Sequence, residues 1–157
     1  MTSDKIVRKI AVIFVTDVVG FSKLMEKNED ATLKSLRACR DILDRLFEEH
    51  GGRIFNTAGD SVLAEFQSAV SAVICATEFQ KLIKQRNQSV AEASQMRFRL
   101  GLNMGDVIVE GTNLYGDGVN VAARLEALSQ PGGVSLSKAI HDFVSQKVEL
   151  TFADLGS

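Results

Sequence analysis

The order of apolar and polar residues predicts three elements in the first third of the chain. Residues 8–16, RKIAVIFVT, are largely β-branched and apolar, which is typical of a central strand. A short helix is predicted over residues 20–27. A longer helix is predicted over residues 28–52, because apolar residues recur there at helical spacing, with Asn28 as its N-cap and a glycine pair at its end.

Strands and helices keep alternating in the rest of the chain. The runs RIFNT and SVLAEF flank Ala58-Gly59-Asp60, a spacing that predicts a β-hairpin. The elements predicted after it are a helix at 68–87, one long strand or two at 96–111, a helix within 116–133, a short strand at 134–137, a short helix at 137–146 and a strand at 148–155. Because the hairpin requires antiparallel pairing, we predict an α+β fold, a ferredoxin-like sheet with packed helices, rather than a doubly wound parallel sheet.

Composition and charge are typical of one globular domain. The 157 residues are about one domain's worth, and 45% of them are apolar. A net charge of -2 without a basic block does not favour nucleic acid or an anionic membrane as a partner. No apolar run approaches the length of a membrane span, about 20 residues, and the N-terminus lacks the apolar core of a signal peptide. Cys39 and Cys75 lie in apolar helical patterns and are predicted to be buried free thiols, so we expect a cytoplasmic location.

Two aspartates occupy similar settings beside glycine. Asp17 ends the first predicted strand in FVTDVVGF, and Asp60 lies in the hairpin turn TAGDS. A strand end and a neighbouring hairpin can lie side by side in such a sheet, and two carboxylates with nearby backbone carbonyls suit Mg²⁺ and the phosphates of a substrate. For either aspartate alone, capping of nearby backbone N–H groups is the commoner role. The two together favour a metal site.

A further pair of polar residues lies in the predicted helix that follows YGDG. Asn120 and Arg124 are four residues apart, so they share one helix face. The guanidinium offers a planar fork for phosphate oxygens, which suits an anionic transition state. The alternative, a solvated arginine and an asparagine near the helix start, is equally compatible with the residues.

Four segments together resemble the catalytic domain of class III nucleotidyl cyclases, and most of all its bacterial adenylate cyclase branch. They are FVTDVVGFSKLM, TAGDSVLAEF, FRLGLNMGDVIVEG and YGDGVNVAARLEALSQPGG, and they follow one another in the family's order over nearly the whole chain. The resemblance implies that residues 1–157 form one nucleotidyl cyclase catalytic domain with the class III cyclase fold. It also implies a homodimer in which two chains pair head to tail, with each active site at their interface.

The resemblance also implies roles for individual residues. Asp17 and Asp60 of one chain would hold two Mg²⁺ or Mn²⁺ ions, assisted by the carbonyl of Val18. From the partner chain, Asn120 would position the ribose and Arg124 would stabilise charge on the transferring phosphate. The implied reaction is attack of the ribose 3′-OH on the α-phosphate of ATP, which forms 3′,5′-cyclic AMP and releases pyrophosphate. Such a reaction depends on positioning and electrostatics more than on a protein nucleophile.

Two positions that would contact the purine depart from the family's pattern. Adenylate cyclases of the family usually have Lys where this chain has Asn56, and Asp or Thr where it has Asn113. An amide carries both a donor and an acceptor, so this pair suits ATP in one orientation and GTP in the other. Main-chain groups near Leu114 are a further candidate for reading the base. Weak discrimination between ATP and GTP is therefore expected.

Two other functions remain as alternatives. A non-catalytic or weakly active cyclase-like module is favoured by the two asparagines and opposed by the presence together of Asp17, Asp60, Asn120 and Arg124. A diguanylate cyclase is opposed by the absence of a GGDEF run. The chain ends at FADLGS, whereas family members usually continue with a strand and a phosphate-contacting Lys, so the domain is expected to lack that final C-terminal strand.

Overall fold

The structure, a computed structural model, describes residues 6–147. Its elements follow the predicted order, except that a short strand at Asn113–Tyr115 and a 3₁₀ turn were not predicted. The strands are β1 (Val7–Val18), β2 (Gly52–Ala58), β3 (Ser61–Phe66), β4 (Phe98–Glu110), β5 (Asn113–Tyr115) and β6 (Ser135–Leu136). The helices are α1 (Phe21–Lys27), α2 (Glu29–His50), α3 (Ala69–Gln88), α4 (Asp117–Leu128) and α5 (Lys138–Val144), with a 3₁₀ turn at Glu92–Ser94. The stretch 96–111 forms one long strand rather than two. The strand predicted at 148–155 lies outside the described residues.

Local sequence signals explain where the long helix α2 begins and ends. The side chain of Asn28 accepts a hydrogen bond from the backbone N–H of Ala31 at 3.0 Å, which confirms it as the N-cap. At the other end, Gly51 has φ +80°, a left-handed conformation that costs glycine little. The cap at Gly51 leads directly into β2, and the hairpin that carries Asp60 follows from there.

The strands form a sheet in the order β2-β3-β1-β4-β5, in which all neighbours are antiparallel, and the short strand β6 pairs with β4 in parallel. The prediction of an α+β fold with an antiparallel hairpin is therefore confirmed. Strand β1 pairs with β4 along its whole length, from Val7 opposite Val109 to Val18 opposite Phe98. This register places Asp17 directly opposite Arg99.

Helices cover both faces of the sheet, and successive residues of β1 point to opposite faces. The larger core, between the sheet and helices α2, α3 and α5, contains Val12, Phe14 and Val18 of β1. The smaller core, between the sheet and α4, contains Ala11, Ile13 and Val15 of β1. Asp17 is the next residue in the second series, so it lies on the α4 face.

The sheet curls so that its two edge strands approach each other. β2 and β5 are at opposite ends of the strand order, yet Arg53 of β2 donates from Nη1 to the carbonyl of Thr112, next to β5, at 2.7 Å. The same guanidinium pairs with the buried Glu65 at 2.8 Å. The curl brings the strands of Asn56 and Asn113 to one side of the domain.

Two further predictions concern the thiols and the membrane. Cys39 and Cys75 are buried and unpaired, as predicted, and burial raises the pKa of both thiols, that of Cys75 to about 12. Over residues 6–147, no helix has the length and hydrophobicity needed to cross a bilayer.

Candidate active site

Asp17 lies at the end of β1 and is held by a two-pronged ion pair. Arg99 Nε donates to Asp17 Oδ1 at 3.2 Å, and Arg99 Nη2 donates to Oδ2 at 3.0 Å. The side chain of Asp17 is 18% exposed and that of Arg99 is 33% exposed. Hydrogen bonding to Asp17, reinforced by the surrounding carboxylates, holds the pKa of Arg99 above its usual value. The carboxylate of Asp17 is thus held in one position next to the positive charge of Arg99.

Asp60 is delivered to the same place by the β2–β3 hairpin. Gly59 has φ +60° and lets the chain turn within two residues. Asp60 Oδ2 then accepts a hydrogen bond from the backbone N–H of Val18 at 2.8 Å. The structure therefore brings together Asp17, Val18 and Asp60, the three residues that the sequence analysis assigned to the metal site.

Glu126, from α4, lies over this cluster and was not predicted. Its Oε2 is 3.4 Å from Arg99 Nε, its side chain is 7% exposed, and the same oxygen has no hydrogen-bond partner among the described residues. Burial is the main cause that raises the pKa of Glu126 to about 8, and the adjacent Asp17 carboxylate adds to the effect. The sequence did contain a signal, because Glu126 continues the buried stripe of Val119 and Ala122 at helical spacing.

Arg99 was not predicted as a site residue either. It stands in the apolar run FRLGL of β4, where a charged residue calls for a buried or half-buried partner. Its partner Asp17 is 82 residues away in the sequence. Only the β1–β4 register shows that the two are opposite each other.

Glycine in β4 allows α4 to come close enough for Glu126 to reach the cluster. A Cβ on Gly101 would lie 2.4 Å from the backbone nitrogen of Glu126 and 2.5 Å from the carbonyl oxygen of Ala122. Further along, Asn103 Nδ2 donates to the carbonyl of Gly118 at 2.9 Å, which fixes the start of the helix. The helix therefore rests on the backbone of β4, with Glu126 beside Arg99.

Asn120 and Arg124 lie on a different face of α4 from the cluster. The residues of α4 that are buried against the sheet are Gly118, Val119, Ala122 and Glu126, whereas Asn120 and Arg124 are exposed. Within residues 6–147 neither side chain has a hydrogen bond or an ion pair. Ala123, between them in the sequence, is exposed as well. These two predicted residues therefore do not join Asp17 and Asp60 within one chain.

The purine positions have mixed surroundings. A register shift between Ile54 and Asn56 sets Asn56, which is exposed, opposite Leu63 of β3. The side chain of Asn113 is already engaged: its Oδ1 accepts from the backbone N–H of Leu114 at 2.8 Å, and its Nδ2 donates to the Tyr115 hydroxyl at 3.0 Å. The side-chain oxygen of Asn113, a candidate acceptor for the purine, is therefore bonded to the backbone of the next residue.

The donor set at the end of β1 suits a hard cation. Three carboxylates, those of Asp17, Asp60 and Glu126, share one guanidinium, that of Arg99, and the two aspartates add to the effect of burial in raising the pKa of Glu126. All available ligand atoms are oxygens, as Mg²⁺ and Mn²⁺ prefer. No set of three or more His, Cys, Asp or Glu side chains in residues 6–147 is arranged around a metal position, so a cation here would depend on two aspartates and backbone oxygen.

Known proteins match nearly the whole length of this chain. The family model described as "Adenylate and Guanylate cyclase catalytic domain" matches residues 3–156. The Rhizobium meliloti (strain 1021) protein named "Putative adenylate cyclase 3" is 44% identical over 157 residues, which are 99% of this chain but only 27% of that protein.

Solved structures share the fold. A crystal structure of an adenylate/guanylate cyclase/hydrolase from Silicibacter pomeroyi is 37% identical, with a TM-score of 0.89 over 97% of this chain and 89% of that chain. The adenylyl cyclase CyaB from P. aeruginosa is 25% identical, with a TM-score of 0.78 over 91% of this chain and 84% of that one. The predicted fold class is confirmed by these superpositions.

Proposed function

Because this chain belongs to the adenylate and guanylate cyclase catalytic domain family, we propose that it converts ATP to 3′,5′-cyclic AMP and pyrophosphate. The observation that carries this proposal is the hydrogen bond from Val18 N–H to Asp60 at 2.8 Å, which sets the second carboxylate beside the end of the strand that carries Asp17. Two aspartates held by rigid backbone at one point suit metal-assisted phosphoryl transfer.

Asp17, Asp60 and the carbonyl of Val18 would hold two Mg²⁺ or Mn²⁺ ions. When bound, such ions neutralise charge on the phosphates and make the ribose hydroxyl easier to deprotonate. The shortage of positive charge around the three carboxylates supports this assignment. The aspartates contribute position and charge, because no described side chain at this point is arranged as a nucleophile.

The reaction itself is a displacement at phosphorus. The ribose 3′-oxygen forms a bond to the α-phosphorus, the bond from that phosphorus to the bridging oxygen of the β-phosphate breaks, and pyrophosphate leaves. The hydroxyl proton passes to solvent or to a phosphate oxygen. The protein's share is to align the two oxygens and to stabilise the charge that develops between them.

We propose that a homodimer completes the site. Asn120 and Arg124 point away from the aspartates of their own chain, so they are available to a second copy. An exposed apolar side chain on the same helix supports such an interface, because Leu128 at the end of α4 is 76% exposed. In the dimer, Asn120 of one copy would orient the ribose, and Arg124 would stabilise charge on the transferring phosphate at the other copy's aspartates.

ATP is proposed as the preferred substrate because the 44% identical relative is named as an adenylate cyclase. A second candidate is a cyclase of relaxed purine specificity that also accepts GTP. The observation that favours it is the engagement of Asn113 with Leu114 and Tyr115, which leaves the base without a dedicated acceptor there. Asn56, Asn113 and the backbone of Leu114 remain the proposed purine contacts.

One assay separates these candidates. Purified protein is incubated with ATP or GTP and Mn²⁺ or Mg²⁺, and the cyclic product is separated and identified by mass. Cyclic AMP formed from ATP, and lost in Asp17→Asn, is the expected result. Equal yields from both nucleotides would support relaxed specificity. No cyclic product from either, in protein shown to be folded and dimeric, would contradict catalysis and favour a non-catalytic module.

A further inference from the structure

Arg99 is hydrogen-bonded to the same Asp17 oxygens that a bound cation would need. Both oxygens of Asp17 accept a hydrogen bond from the guanidinium, at 3.2 Å and 3.0 Å. A divalent cation at the same oxygens would stand within a few ångströms of a permanent positive charge, and the two repel each other strongly in a half-buried setting. Arg99 and the cation therefore bind Asp17 at each other's expense.

The structure also shows where the guanidinium can pair when Asp17 is taken. Glu126 Oε2 is 3.4 Å from Arg99 Nε, and it is buried without a hydrogen-bond partner among the described residues. An unsatisfied buried carboxylate oxygen is unusual and calls for an explanation. A small rotation of the guanidinium would satisfy it, and Arg99 is already linked to the same helix through a weak bond from Nη1 to the carbonyl of Ala127 at 3.4 Å.

We propose that Arg99 is a positioning residue that competes with the metal for Asp17, and that Glu126 is the alternative partner onto which Arg99 shifts when the cation binds. The inference rests on the proposed function, since it takes Asp17 and Asp60 as the metal ligands. It adds that the metal affinity of the domain is set by a three-way balance between Asp17, Arg99 and Glu126. Before the cation arrives, Arg99 keeps a half-buried carboxylate paired. Afterwards, Glu126 keeps the half-buried guanidinium paired.

The test measures binding of Mn²⁺ alone to the full chain, without nucleotide, from the electron paramagnetic resonance signal of free Mn²⁺ at one fixed pH above 8, where the Glu126 carboxylate is ionised. Arg99→Met removes the competitor and should tighten Mn²⁺ binding by about tenfold, the equivalent of one charge-assisted hydrogen bond. If Arg99 instead served only to hold Asp17 in place, the same variant would bind Mn²⁺ more weakly, and that result would overturn the proposal. Should Arg99→Met fail to fold, Arg99→Lys keeps the charge but loses the two-pronged grip, so it should tighten binding by a smaller factor, and weaker binding would have the same adverse meaning.

A second substitution, Glu126→Gln, tests Glu126 as the alternative partner of Arg99. With Arg99 present, it removes the alternative partner and should weaken Mn²⁺ binding by several-fold. In the Arg99→Met background, or Arg99→Lys if that is the folded variant, the same change should have a much smaller effect. An equal loss in both backgrounds would show that Glu126 acts on the cation directly, and would overturn its role as partner of Arg99. Asp44→Asn, at an exposed position of α2, is the control and should bind as the native protein does.

Failure of the inference and failure of the proposed metal site give different results. If the native protein binds Mn²⁺ no better than Asp17→Asn and Asp60→Asn do, the metal site falls and the inference falls with it. If binding depends on the two aspartates but is unchanged by the Arg99 and Glu126 variants, only the inference falls.

Discussion

The two faces of strand β1 differ sharply, although their residues alternate along the same chain. Towards α2 and α3 the strand presents Val12, Phe14 and Val18, which pack in the larger apolar core. Towards α4 it presents an equally long apolar series followed by Asp17, and here the packing passes into a group of titratable and charged side chains. The first face provides most of the buried apolar area. The second face holds the carboxylate of Asp17 in place on the same rigid strand.

The comparison shows why charged residues can be half-buried at one end of this sheet. Each of them has a partner that the backbone positions: Arg99 faces Asp17 across the strand pair, and Asp60 is bonded to the main chain at Val18. Glu126 is the exception, with one oxygen unsatisfied. We expect the face towards α2 and α3 to govern stability and the face towards α4 to govern activity.

The largest effect is expected from Asp17→Asn. Loss of a carboxylate that holds the cations should lower kcat/KM for cyclic nucleotide formation by about 10³-fold, or several kcal/mol in the transition state. The fold should persist, because Arg99 keeps Glu126 as a partner. The measurement is steady-state kinetics with Mn²⁺, with circular dichroism to verify folding and Asp44→Asn as the matched control. Activity within tenfold of native would contradict the metal role.

Mixing two inactive variants tests whether the site is shared between chains. Asp17→Asn and Arg124→Ala each disable a different half, so a mixed dimer retains one intact site. In an equal mixture that exchanges subunits freely, activity should recover to about a quarter of the native value, because half of the dimers are mixed and each has one of two sites. Subunit exchange is verified with differently tagged chains. Exchange without recovery would mean that Asp17 and Arg124 of the same chain serve one site, or that one of them serves no site.

One substitution on each face separates stability from activity. Phe79 is fully buried on the α2/α3 side with its ring 5.0 Å from that of Phe98, so Phe79→Ala should lower the free energy of unfolding by about 3–5 kcal/mol. Gly101→Ala forces α4 away from β4 and displaces Glu126. We expect kcat/KM of the folded fraction to fall in Gly101→Ala and to stay near native in Phe79→Ala. Urea unfolding and kinetics are measured on the same samples. The reverse pattern would contradict the assignment of stability to one face and activity to the other.

The purine positions should show a moderate effect. Asn56→Lys with Asn113→Asp supplies a fixed donor and a fixed acceptor, which penalise the base that cannot pair with them. The ratio of kcat/KM for ATP to that for GTP should rise by about tenfold over the native protein. Strong exclusion of GTP by the native protein, or an unchanged ratio in the double variant, would mean that the base is read elsewhere.

A pH effect on stability is expected from Glu126 in metal-free protein. Burial raises its pKa to about 8 from 4.5, so the folded domain keeps a proton that the unfolded chain has already lost. The free energy of unfolding should therefore fall as the pH rises from 4.5 to about 8 and change little above it. Urea midpoints across this range, measured with a chelator present, should decline less in Glu126→Gln, which cannot ionise. Parallel profiles for the two proteins would contradict the raised pKa.

Much of the fold could be predicted because its signals are local. The β-branched run before Asp17, the cap at Asn28 and the glycine of the hairpin turn act within a few residues, and the structure places each as expected. The end of α4 was harder to predict. The residues alone left Arg124 as either a phosphate ligand or a solvated side chain, and the helix turns it to solvent within one chain, because the stripe that packs on β4 is defined by Gly118, Ala122 and Glu126.

By itself, the sequence determined the order of elements, the α+β class and the proximity of Asp17 and Asp60, since alternation in strands, helix caps and turn residues are encoded over short distances. The tertiary structure decided the surroundings of Asp17. Arg99 is far from it in the chain, and Glu126 reaches it only because Gly101 lets α4 rest on β4. Strand register and the approach of a helix depend on contacts between distant segments, so a charged residue in an apolar run reveals that it needs a partner but not which partner it has.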